Sequence, residues 1–174
     1  MKNKVNKSIS LVKQYTEKKK LYHSFAVNAK ELITLLLENE NIRFVNVSAR
    51  EKEPGSLKEK IKRKKRNGKI YKKLDDISDL AGVRIVLFFR DDIHPVLKLL
   101  GGQFKIIKRE NVNIKEYRLK EPDKYGYYSP HLDVMCNSKR EILEEYKRFK
   151  DLKCEIQIRT ILQHAWAEIE HDMG

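Results

Sequence analysis

The stretch that decides the fold is Gly82–Phe89, GVRIVLFF, β-branched and apolar with the single charge of Arg84. A run of this length and composition reads as a central β-strand, being too short for a helix. Working outward, a helix capped near Asp91 follows and stops at Gly101-Gly102. Phe104–Arg109 and Val112–Leu119 pair as a hairpin around Glu110 and Asn111. His131–Cys136 and Lys153–Arg159 are two more strands, separated by a helix over Ser138–Phe149. Ile161, Leu162, Ala165, Trp166 and Ile169 then lay an apolar stripe on a last helix, with Trp166 assigned to the core.

In the other direction, Asn67-Gly68 ends a helix over Leu57–Arg66 that Ser56 caps, and Glu53-Pro54-Gly55 breaks the chain before it. Ile42–Val47 alternates as a strand. Leu21, Phe25, Ala29, Leu32, Ile33 and Leu36 recur at helical spacing. Residues 1–21 read as a basic arm or separate helix, and 22–174 as one domain. Interleaved helices and strands with a hairpin predict an α+β fold around a five-stranded mixed sheet flanked by helices.

At 174 residues, 40% hydrophobic and 36% charged, the chain has the size and apolar content for one core under a densely ionic surface. Its longest apolar runs, Leu35–Leu37 and Val86–Phe89, fall far short of a membrane span of about 18 residues. The basic N-terminus lacks the apolar core of a secretory signal, so the expected compartment is the cytoplasm. Cys136 and Cys154 are expected as buried, reduced thiols. The last helix runs to Gly174, which suggests a natural chain that continues further.

The net charge of +13 is unevenly spread. Residues 1–73 carry 21 basic and 7 acidic side chains, and residues 74–174 carry 17 and 18. The densest tract, KIKRKKRNGK at Lys60–Lys69, has seven cations in ten residues. Clustered cations with little local compensation suit a polyphosphate or a nucleic acid.

In CEIQIRT, strand alternation turns Cys154, Ile156 and Ile158 one way and Glu155, Gln157 and Arg159 the other. Asp79 stands just before the central strand, with Arg84 five residues on. Two carboxylates with Arg50, Lys52, Lys60, Arg63 and Arg84 are the parts for Mg2+-dependent transfer of a phosphorus group. Magnesium binds through one or two carboxylates plus substrate phosphates, while cations absorb the charge that develops.

These residues carry a family resemblance. Arg50-Glu51-Lys52, Ser56, Lys60 and Arg63, DLAGVR at 79–84, YGYYSPH at 125–131 and EIQIRT at 155–160 resemble the synthetase domain of the RelA/SpoT alarmone-synthetase family. The resemblance covers residues 22–174, and the ending QHAWAEIEHD is similar to that of small members. It implies a nucleotidyltransferase-like sheet and an ATP-dependent pyrophosphokinase, in which a ribose 3′-hydroxyl takes the β,γ-diphosphate of ATP and AMP leaves. By motif match, Asp79 and Glu155 hold Mg2+, and Glu155 deprotonates the attacking hydroxyl. Arg50 and Arg84 sandwich adenine, while Lys52, Ser56, Lys60 and Arg63 bind the triphosphate. Tyr127 stacks on the acceptor base, with His131 and Gln157 as polar contacts on the acceptor side.

The acceptor loop departs from the ordinary guanosine-tetraphosphate pattern, approximately P-K-P-N-G-Y-x-S-h-H. Here it reads Pro122-Asp123-Lys124-Tyr125-Gly126-Tyr127-Tyr128-Ser129-Pro130-His131. Asp123 replaces a cation, with Lys124 as a substitute one position on, and Tyr125, Tyr127 and Tyr128 offer stacking surfaces. By similarity to toxic small members of the family, the favoured acceptor is the 3′-terminal adenosine of tRNA. The protein would then be a toxin that blocks translation, with a protein antitoxin as partner. GDP or GTP, giving (p)ppGpp, is the alternative acceptor, beside an adenosine alarmone. A catalytically silent RNA-binding module is the reading from another class. His164, Glu168 and His171 share a helical face but lack a fourth ligand, so they read as a polar face bordering the cleft rather than a zinc site.

Overall fold

The structure is a computed structural model that describes residues 2–110 and 129–173. Helix α1 spans Lys2–Asn39 without a break at residue 21. The first proline and glycine of the chain are Pro54 and Gly55, so nothing interrupts helix propagation before them. The buried stripe also starts earlier than Leu21, running through Leu11, Tyr15, Tyr22, Ala26, Ala29, Ile33 and Leu37. Asn41, at φ 54°, turns the chain into strand β1, Phe44–Glu51.

Helix α2, Pro54–Arg66, begins three residues before the expected Leu57. Pro54 presets the helical φ at the first position, and Glu53 rather than Ser56 occupies the N-cap. Its end is as expected: Gly68 takes φ +80°, and the Lys69 N–H donates to the Lys64 carbonyl across a Schellman turn. Strand β2 is Ala81–Leu87, and helix α3, Ile93–Gln103, follows a short 3-10 turn at Arg90–Asp92. Gly101 and Gly102 do not stop α3, because neither adopts positive φ. Then come β3 (Phe104–Glu110), β4 (His131–Cys136), the short helices α4 (Ser138–Glu141) and α5 (Glu144–Lys147), β5 (Cys154–Thr160) and α6 (Ile161–Met173). The expected single helix over 138–149 is therefore two short ones. Among the described residues β3 pairs with β4, and the expected hairpin strand 112–119 lies outside them.

The five strands form one sheet in the order β1-β2-β5-β4-β3, antiparallel except for the central parallel pair β2 and β5. This is the expected α+β arrangement with a mixed sheet. One face is core: Val83, Ile85, Leu87, Leu132, Val134, Ile156 and Ile158 are all buried there. Cys136 and Cys154 are free thiols on that face, and burial pushes the Cys136 thiol up to about 11. Opposite partners in the register share a face. Arg50 faces Gly82, Gly82 faces Glu155, Glu155 faces Asp133 and Gln157 faces His131, so the other face of the sheet carries the polar side chains.

The last helix corrects one expectation. Trp166 is 55% exposed, and Leu162 and Ile169 are exposed too, so the stripe of α6 does not enter the core. The start of α6 is fixed instead by a reciprocal cap. The Thr160 N–H donates to Gln163 Oε1 and the Gln163 N–H donates to Thr160 Oγ1, at 3.0 and 3.3 Å. That cap buries Gln163 and turns His164 and Glu168 toward the polar face of the sheet. No helix among the described residues is long and apolar enough to cross a membrane.

Candidate active site

The site grows from the ends of β1 and β2. Lys52 leaves β1 held by its backbone: its N–H donates to the Leu80 carbonyl at 3.1 Å, and its own carbonyl accepts the Tyr15 hydroxyl from α1. Lys19 and His23 of α1 pair with Glu51, and Lys19 also pairs with Glu53 at 2.7 Å. The first helix thus braces the segment that presents Lys52. Sequence reading missed Tyr15, although its helical spacing to Leu11 and Tyr22 carried the signal.

Asp79 lies between two ammonium groups, Lys52 Nζ at 2.9 Å and Lys60 Nζ at 2.6 Å, both on Oδ2. All three side chains are largely shielded, at 11% exposure for Asp79, 15% for Lys52 and 18% for Lys60. Burial alone would raise the Asp79 carboxyl, but Lys60 and then Lys52 outweigh it and hold the group below the usual aspartate range. A cleft of about 750 Å³ opens beside this cluster, lined by Lys52, Ser56, Lys60, Arg63 and Arg66 among others. Gly55 and Ser56 contribute the first turn of α2, whose free N–H groups and dipole favour an anion. Starting α2 at Pro54 leaves the Ser56 hydroxyl to the cleft rather than to capping.

Glu155 anchors the second half of the site on β5. Gln157 Nε2 donates to its Oε2 at 2.7 Å, His131 Nδ1 stands 3.6 Å from Oε1 and Arg50 Nη2 stands 3.9 Å from Oε2. Burial would raise this carboxyl too, yet the contacts with His131 and Gln157 keep it below its ordinary value, while Asp79 acts on it as a nearby like charge. Asp133, opposite Glu155 in the register, has its carboxyl raised by burial first, with the charge of Glu155 adding to that. It is a further acid of the site, legible in the alternation of His131 and Asp133 along β4.

The structure therefore brings together Arg50, Lys52, Ser56, Lys60, Arg63, Asp79, His131, Glu155 and Gln157. Arg84 rises from the same face of β2, but its ion pair is with Glu168 of α6 at 3.2 Å. Lys124, Tyr127 and Tyr128 lie outside the described residues. The donor set fits a hard divalent cation. Asp79 Oδ1 is buried without a hydrogen-bond partner among the described residues, while Oδ2 takes both lysines. No group of three or more His, Cys, Asp or Glu side chains forms a closed cation site among the described residues. A carboxylate beside a basic cleft, with a second carboxylate near enough to feel its charge, fits the magnesium habit of taking its remaining ligands from substrate and water.

Comparison with known proteins agrees with this fold. Residues 49–174 match the family model described as the region found in RelA / SpoT proteins. The chain is 36% identical over 99 residues to "GTP pyrophosphokinase YwaC" of Bacillus subtilis (strain 168), a match covering 56% of this chain and 42% of the relative. It is 32% identical over 130 residues to "GTP pyrophosphokinase YjbM" of the same organism, covering 74% and 55%. The matches thus span about half the length of these curated relatives. Among solved structures, small alarmone synthetase 1 from Bacillus subtilis is similar in two complexes. Bound to its product pppGpp, it has a TM-score of 0.70 and 29% identity over 92% of this chain and 81% of that one. Bound to AMPCPP, the values are 0.64 and 27%, over 92% and 77%. A family match over most of the chain, joined to a shared fold, leads to one assignment: this chain belongs to the family defined by the region found in RelA / SpoT proteins.

Proposed function

We propose that the chain is an Mg2+-dependent pyrophosphokinase that transfers the β,γ-diphosphate of ATP to the ribose 3′-hydroxyl of GDP or GTP. The observation that carries this reading is the basic cleft beside Asp79, whose carboxylate takes Lys52 and Lys60, with Glu155 on the polar face of the sheet close enough for the charge of Asp79 to act on it. The names of both curated relatives, and the pppGpp product in a similar structure, support a guanine nucleotide as acceptor. AMPCPP in the second complex, an adenine nucleotide, supports ATP as donor. The tRNA acceptor expected from the loop, and with it the toxin and antitoxin roles, has no such support.

Each group has a task. Arg50 and Arg84 flank the adenine. They are diagonal neighbours on β1 and β2, since Arg50 faces Gly82 and Ser48 faces Arg84. Diagonal cross-strand neighbours stand about 7 Å apart, room for one planar ring between two guanidinium faces. Lys52, Ser56, Lys60 and Arg63 neutralise and orient the triphosphate. Asp79 and Glu155 would hold the magnesium ion, which when bound supplies positive charge against the phosphate oxygens. Glu155 takes the proton of the acceptor 3′-hydroxyl, and its depressed carboxyl means it is ionised and ready at neutral pH. The hydroxyl oxygen bonds to the β-phosphorus, the bond from that phosphorus to the α,β-bridging oxygen breaks, and AMP leaves. His131 and Gln157 orient Glu155 from the acceptor side, and Lys124, Tyr127 and Tyr128 complete the acceptor site. The substrates and the two free thiols suit the reducing cytoplasm.

The test is incubation with γ-labelled ATP, Mg2+ and GDP, GTP or uncharged tRNA. Label appearing in the guanine nucleotide with one AMP per transfer is the expected outcome. Label in tRNA would overturn the acceptor, and release of ADP or no transfer with any acceptor would overturn the reaction.

A further inference from the structure

We infer that Glu168 of α6 is a positioning residue for the donor base: it fixes the guanidinium of Arg84 and, through it, the surface on which that base stacks. The inference rests on the reading that Arg84 lies against the base of ATP. Arg84 stands in the middle of β2 with Ser48 on one side and Gln157 on the other, and its side chain is 23% exposed. Its Nε is buried without a partner among the described residues, and its Nη1 donates to Glu168 Oε1 at 3.2 Å. The orientation of the guanidinium plane therefore depends on Glu168.

The surroundings make that hold necessary. Arg159 and Arg50 share the patch, and after burial, the charge of Arg84 and then of Arg50 lowers the Arg159 guanidinium from its ordinary value. The acids that oppose them there are Glu168 first and Glu155 second. Without Glu168, mutual repulsion would drive the Arg84 head toward water and away from the stacking position. The chemistry of the two contacts is also compatible. A carboxylate engages the N–H edge of a guanidinium and leaves its π face free for a base. His164, one turn back on the same helix, brings Nδ1 to 3.5 Å from the same oxygen without a hydrogen bond to it. The Thr160–Gln163 cap holds the beginning of that helix to β5.

The experiment is calorimetric titration of the full chain with Mg2+ and ATP, paired with steady-state kinetics. The proteins are wild type, Glu168→Ala, Glu168→Gln, Arg84→Ala and the Arg84→Ala, Glu168→Ala double variant. Glu168 is half-exposed on a helix surface, so its variants keep the fold, which an unchanged Tm verifies. Glu168→Ala is expected to weaken ATP binding by roughly tenfold and raise KM for ATP far more than it lowers kcat. Glu168→Gln, which keeps an acceptor, should recover part of the loss. In the Arg84→Ala background the Glu168 change should cost nothing further, because its effect runs through Arg84. Wild-type ATP affinity in Glu168→Ala, or an equal loss in both backgrounds, would overturn the inference alone. Failure of the wild-type chain to bind ATP would overturn the functional reading with it.

Discussion

Gly82 shows how a single missing carbon shapes the site. A Cβ built at this position would lie 3.3 Å from both Cγ and Nε of Arg50, so the Arg50 side chain crosses the sheet over the space that glycine leaves. Gly82 has no positive φ, and its value here is close approach rather than backbone freedom. Gly82→Ala should shift Arg50 by a few tenths of an ångström and raise KM for ATP by about three- to tenfold, with an unchanged Tm, checked by steady-state kinetics and thermal melting. Asp79 makes a second prediction. Replacing it with Asn leaves two shielded ammonium groups facing a neutral amide, which should cost about 3 kcal/mol at neutral pH and abolish transfer. The folded Asp79 carboxyl lies below its ordinary value, so its stabilising contribution is complete above the unfolded value near 4 and lost as pH falls through the folded one. Melting wild type and Asp79→Asn in parallel should give a constant gap from pH 7 to about pH 5 that narrows at lower pH.

At the scale of elements, α1 braces the basic cleft from behind. The Tyr15 hydroxyl donates to the Lys52 carbonyl, and burial raises the Tyr15 phenol, which keeps it a donor throughout the working range. Tyr15→Phe should cost about 1 kcal/mol of stability and weaken ATP binding several-fold, as read by denaturant unfolding and nucleotide titration. Much of this level was legible in the residues. The strand at GVRIVLFF, the alternation in CEIQIRT and the Asn67-Gly68 stop all depend on local periodicity or turn chemistry. The misreadings occurred where a local signal has two solutions. Ser56 is a good cap, but Pro54 starts the helix first; a glycine pair ends a helix only with positive φ; the apolar stripe of α6 looks the same whether it faces core or solvent. For α6 the deciding signal was the Thr160-Ile161-Leu162-Gln163 capping box, which fixes how the helix leaves β5.

Over the whole molecule, the charge asymmetry of the sequence becomes a division of labour. The basic first half supplies Arg50, Lys52, Lys60, Arg63 and Arg66, and the nearly balanced second half supplies Glu155 with the residues that orient it. What no local pattern contained is the parallel pairing of β2 with β5, in which Gly82 meets Glu155 across more than seventy residues of chain. That register sets Glu155 beside Gly82, three residues along the chain from Asp79 and close enough for the charge of Asp79 to act on it, and it depends on long-range strand pairing rather than on either motif. Shared occupancy of one cation by Asp79 and Glu155 is therefore the claim on which the rest depends. It is tested most directly by crystals grown with Mn2+ and AMPCPP, using anomalous scattering to locate the metal. The account predicts a peak ligated by Asp79 Oδ1, Glu155 and the nucleotide phosphates, with Lys52 and Lys60 turned from Asp79 to the phosphates; a metal that touches neither carboxylate would contradict it.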